Sequence, residues 1–114
     1  MEDMRNDPRL GQVRLGPGCE IDTEALVGYL SPRRNISDEL VIGEGARIRS
    51  GSVVYAGSTI GSGLETGHNV VIREQNEIGD NFSIWNNSVI DYGCTIGKGV
   101  KIHCNIYIAQ FTVI

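Results

Sequence analysis

Histidine is nearly missing from this chain of 114 residues, which has only His68 and His103, far apart in sequence. A catalytic zinc of the hydratase kind takes three protein ligands, so two separated imidazoles exclude that chemistry and no metal is expected. Cysteine is scarce too: Cys19, Cys94 and Cys104 are an odd number without a CxxC spacing, which excludes a disulfide framework and a zinc ribbon. Cys19 and Cys94 read as small core residues. No apolar run approaches the roughly 20 residues of a membrane span. The polar start MEDMRNDPRL is neither a signal nor a transit peptide, so the expected location is cytoplasmic. Basic runs interleaved with aromatics are absent and the net charge is -4, which argues against nucleic acid. The remaining composition, 40% hydrophobic and 21% charged, suits one ordinary folded domain.

What the chain does have is a period. An aliphatic residue, once a threonine, recurs at every sixth position: Ile36, Ile42, Ile48, Val54, Ile60, Thr66, Ile72, Ile78, Ile84, Ile90, Ile96, Ile102, Ile108 and Ile114. A helix of about 3.6 residues per turn would scatter these around its axis. Four positions after each, the residue is mostly small or apolar, with Asn76 the exception. Ile-Gly pairs at 42, 60, 78 and 96 add a second period of eighteen, so three hexads make one turn. Glycine at these places supplies either a positive φ or a close approach at a corner. The predicted fold is all-β: a triangular left-handed parallel β-helix of about five coils.

Residues 1–14 read as a polar N-terminal arm and 15–114 as the β-helix domain. LGPGCE at 15–20 resembles the later Ile-Gly hexads, with Ile21 and Val27 following at steps of six. From Leu15 to Ile42 the chain advances one coil plus nine residues, and the excess is assigned to a corner loop at about 28–36 containing Gly28, Pro32, Arg33, Arg34 and Asn35. That loop is either solvated or a basic flap over an anionic ligand. The chain stops in mid-coil at Ile114, so the domain is expected to be truncated at its C-terminus.

Side chains alternate along a strand, so the residue before each inward aliphatic one points outward. Arg47, Glu65, Ser83 and Lys101 form a solvated column, and Val41, Thr59, Glu77, Thr95 and Val113 a mixed one. Val53, Val71, Val89 and Tyr107 form an apolar ladder, the expected face of a homotrimer. One neighbouring corner carries Arg49, His68, Trp85, Asn86 and His103; the other carries Tyr55, Arg73, Glu74, Asp91 and Tyr92. Across a subunit interface, a carboxylate of the second corner could orient a histidine of the first.

The repeats from Ile36 to Ile114 resemble the hexapeptide-repeat acyltransferases, closest to those that acetylate amino or hydroxyl groups of sugars. The stretch TGHNVVIREQNEIGDNFSIWNNSVI is similar to their histidine-bearing coil, where His followed by Asn or Asp precedes two apolar residues. The resemblance implies a CoA-dependent acyl transfer to a sugar or nucleotide sugar, with acetyl-CoA as donor and no metal. It implies His68 as general base, with Glu74 or Asp91 as the orienting acid. Backbone N–H groups at the corners would stabilise the oxyanion. Trp85, Asn86, Arg73 and His103 are assigned to substrate contacts or the interface. The alternative is a non-catalytic scaffold or regulatory trimer, or an inactive fragment of such an enzyme.

Overall fold

In a computed structural model, which describes residues 7–114, the chain winds into a triangular left-handed parallel β-helix. Three parallel sheets of five strands form its sides. The first sheet stacks β1 (Gln12–Leu15), β4 (Glu39–Ile42), β7 (Thr59–Ile60), β10 (Glu77–Ile78) and β13 (Thr95–Ile96). The second stacks β2 (Glu20–Ile21), β5 (Arg47–Ile48), β8 (Glu65–Thr66), β11 (Ser83–Ile84) and β14 (Lys101–Ile102). The third stacks β3 (Leu26–Tyr29), β6 (Val53–Tyr55), β9 (Val71–Ile72), β12 (Val89–Ile90) and β15 (Tyr107–Ile108). From β4 onward each residue pairs with the one eighteen positions along, as Val71 with Val89 and Ile78 with Ile96.

The six-residue period is the core. Ile42, Ile48, Val54, Ile60, Ile72, Ile84, Ile90 and Ile96 are all buried, and Thr66 among them gives its hydroxyl to the Gly67 carbonyl. Each buried isoleucine contributes about 1.5–3 kcal/mol. The corner positions behind them take Ala46, Leu64, Val70, Phe82 and Cys94, with Phe82 the largest side chain that is wholly enclosed. Buried polar residues here bind the backbone. Ser52 and Ser88 each accept an N–H and give a hydroxyl to a carbonyl of the next coil. Asn76 donates to the Arg73 carbonyl at 2.9 Å and accepts from Cys94 N–H at 2.7 Å. The amide that breaks the sequence pattern therefore acts as a bracket between coils.

Two expectations need correction. Residues 1–6 of the expected arm lie outside the described residues, but Gln12–Arg14 are part of β1, because Val13 and Leu15 alternate inward against Leu40 and Ile42. Residues 9–11 also pair antiparallel with residues 28–30, closing the edge of β3. Ile36 is not the first rung of the solenoid. The loop runs from 30 to 38, and Ile36 lies in it against Gly57, where the side-chain methyl would stand 2.6 Å from a Cβ. Of the two reasons offered for glycine in the Ile-Gly pairs, close approach holds and positive φ does not. At Gly61 a Cβ would meet the Asp80 side chain at 2.2 Å and its backbone nitrogen at 2.9 Å, so close approach is what excludes a side chain. The left-handed residue comes two positions later, at Gly45, Gly63, Asn81 and Gly99.

Candidate functional site

Left-handed backbone recurs at every sixth residue, at positions 45, 51, 57, 63, 69, 75, 81, 87, 93, 99, 105 and 111. Glycine or asparagine fills all of these sites except Gln75 and Phe111, since both tolerate that region at little cost. At the corner between the second and third sheets the residues are Gly51, Asn69, Asn87 and Asn105. Asn69 is therefore the residue that turns the corner immediately after His68, with φ 57° and its side-chain oxygen against Gly51.

His68 is exposed and held from both neighbouring coils. Its backbone N–H donates to Asn86 Oδ1 at 2.9 Å. Its ring Nδ1 lies 2.9 Å from Ser50 Oγ and 3.3 Å from the Ser50 carbonyl oxygen. Behind Ser50, Asp22 Oδ2 accepts the Ser50 N–H at 2.8 Å, and Arg49 Nη1 stands 3.8 Å from Asp22 Oδ1 and 3.9 Å from Glu20 Oε1. The sequence expectations include neither Ser50 nor Asp22. Ser50 had a signal, because it stands one period of eighteen before His68, as Asn86 stands one period after. Trp85 is half-buried and His103 exposed, and eighteen-residue pairing puts both in the column of Gly67, beside that of His68.

The two carboxylates lie at the other corner, as their columns predict. Glu74 and Asp91 sit at the corner between the third and first sheets, so within one chain the width of the third sheet separates them from His68. Glu74 is wholly buried and fully engaged. Ser31 donates to Oε2, Arg33 Nε lies 3.2 Å from the same oxygen, and Arg73 Nε donates to Oε1 at 2.9 Å. Burial pushes this carboxyl up, but the hydrogen bonds from Ser31, its own backbone and Arg73 outweigh that and hold it below the ordinary glutamate value. Each arginine also covers a tyrosine, Arg33 over Tyr92 at 3.9 Å and Arg73 over Tyr55 at 4.5 Å. Arg33 of the loop is thus spent on the chain's own Glu74. An enclosed group with both oxygens taken is not free to orient a histidine. Asp91 is half-buried, and the Tyr107 hydroxyl donating to Oδ2 holds it below the usual carboxylate range.

The oxyanion expectation also changes at this corner. The N–H groups of His68, Asn69 and Asn87 go to Asn86 Oδ1, the Ser50 carbonyl and the His68 carbonyl, so none of the three is left for a substrate. Alongside, the apolar ladder is present on the third sheet and longer than expected. Leu26, Val53, Val71, Val89 and Tyr107 lie in one register, the first four half-buried and Tyr107 62% exposed. On the other side of the molecule Gln75, Glu77, Gly93 and Phe111 line a shallow open groove with Thr59 and Thr95. Among the described residues no group of three or more His, Cys, Asp or Glu side chains is arranged to hold a metal ion, and no helix is long and apolar enough to cross a membrane. The chain matches no family model, no curated protein and no solved structure.

Proposed function

We propose that this protein is a CoA-dependent acyltransferase of the hexapeptide-repeat kind, acting on an amino or hydroxyl group of a sugar or nucleotide sugar, with His68 as general base. The observation that carries the reading is the mounting of His68: an exposed imidazole whose backbone and Nδ1 are both fastened, with Nε2 not used in those contacts. A positioned imidazole of this kind suits proton transfer better than a turn residue needs to. In the reaction, Nε2 takes the proton from the acceptor as its nitrogen or oxygen bonds to the thioester carbonyl carbon. The same proton goes to the departing sulfur as the C–S bond breaks, giving the acylated sugar and free CoA thiol.

Asn86 supplies a further group. Its Oδ1 is committed to the His68 N–H, which identifies the other amide atom as the Nδ2 donor. This donor takes the place of corner N–H groups in stabilising developing negative charge on the carbonyl oxygen. A homotrimer packed through Leu26, Val53, Val71, Val89 and Tyr107 would set a second chain beside His68, with Arg73 and Asp91 on the neighbouring edge of the ladder and Trp85 and His103 beside His68 itself.

The test is acetyl transfer from acetyl-CoA to a panel of amino- and hydroxy-sugars. His68→Ala should lower turnover by about 10²- to 10⁴-fold while CoA binding by calorimetry survives. His103→Ala should do much less. Wild-type protein that binds no CoA and transfers no acetyl group overturns the enzyme reading in favour of a non-catalytic scaffold.

A further inference from the structure

We infer that Ser50, anchored by Asp22, is the positioning residue of His68, and that it acts by fixing which ring nitrogen carries the proton. The inference rests on the general-base reading for its catalytic consequence but not for its geometry. Ser50 presents two oxygens to Nδ1, the hydroxyl at 2.9 Å and the backbone carbonyl at 3.3 Å. A hydroxyl can donate or accept, whereas a carbonyl oxygen can only accept. The pair therefore favours the tautomer with hydrogen on Nδ1, and in that tautomer Nε2 carries the lone pair that receives a proton.

Asp22 sets the position of both oxygens. Its Oδ2 accepts the Ser50 N–H at 2.8 Å, so the backbone that carries the carbonyl is pinned to the preceding coil. Arg49, between Asp22 and Glu20, holds that carboxylate in place. The chain of contacts from Arg49 through Asp22 and Ser50 to His68 spans three successive coils, and no residue of the Glu74 corner takes part. Orientation of the imidazole is thereby provided within one chain and does not wait on a neighbouring subunit.

Nitrogen-15 spectra of the intact protein at alkaline pH read the ring tautomer directly, without substrate. Wild type is expected to hold the neutral His68 ring with its proton on Nδ1. Ser50→Ala, which removes the nearer acceptor and leaves only the backbone carbonyl at 3.3 Å, should shift part of the population toward the form with the proton on Nε2, and Ser50→Thr, which keeps the hydroxyl, should restore it. Asp22→Ala should reproduce part of the Ser50→Ala shift, and Asp22→Asn, which keeps an acceptor for the Ser50 N–H, should not. In the acetyl-transfer assay Ser50→Ala should reduce kcat about tenfold with KM unchanged, a loss confined to the transition state. A wild-type ring protonated on Nε2, or a tautomer indifferent to Ser50→Ala, overturns the assignment. The expected tautomer changes in a protein with no transferase activity would instead uphold Ser50 and remove only the enzyme reading.

Discussion

Glu74 is the single residue on which most of the third corner depends. Its carboxylate joins the loop, through Ser31 and Arg33, to the solenoid, through Arg73. Because its folded pKa is depressed, its ionisation contributes stability that is present above the ordinary value of 4.5 and is lost as the pH falls through the lower folded value. Thermal melts of wild type should therefore fall in midpoint as the pH drops from 4.5 toward that lower folded value, and Glu74→Gln should flatten this part of the profile. At neutral pH the same change should cost about 1–3 kcal/mol, since two guanidinium groups lose a charged partner. A variant with wild-type acid dependence would show that the loop is held by something else. Nothing in the local sequence marks Glu74 as buried. It follows Arg73 in a polar run, and its burial results from a loop that arrives from more than thirty residues upstream.

At the scale of the hexad, two kinds of corner residue have opposite requirements. Gly61 has no left-handed φ, but a Cβ there would meet the next coil, so Gly61→Ala should destabilise by about 1–3 kcal/mol through overpacking. Gln75 instead has φ 58°, a conformation that asparagine adopts more readily, so Gln75→Asn should raise stability by about 0.5–1 kcal/mol. Denaturant midpoints of the two variants should move in opposite directions; movement in the same direction would show the corner assignment to be wrong. The rungs at this scale were readable because Ile48, Ile84 and their equivalents are required by burial alone. Ile36 fits the same spacing by coincidence, since it stands six residues before Ile42, and burial by a loop looks in sequence like burial by a coil. The Gly/Asn column at every sixth residue was equally readable, and it would have located the corners two residues after the Ile-Gly pairs.

For the molecule as a whole, the proposed trimer rests on the apolar ladder of the third sheet. Replacing Val71 and Val89 by Lys should convert the proposed trimer to monomers in sedimentation, with little loss of each chain's fold, because both side chains are only half-buried. A variant that remains trimeric would place the interface elsewhere. The ladder and the His68 corner were visible as columns once the eighteen-residue period was known. The Asp22–Ser50 contact was not, because the distance from Asp22 to Ser50 includes the looped-out segment and follows no period.

Pairing of each residue with the one eighteen positions along gives the polypeptide something close to a reading frame. Eighteen residues added between two coils lengthen the prism and leave every face as it was. Six added after Ile72 would be read as a frameshift: Val89 would leave the column of Val71 and move round to the next face of the prism, and Asn86 would no longer meet His68. The segment from 30 to 38 escapes this penalty because it is spliced out at a corner, and the strands on either side, Gln12 with Glu39 and Leu26 with Val53, resume in phase. The protein can thus accept length at its corners without limit of phase, but along its faces only in whole coils.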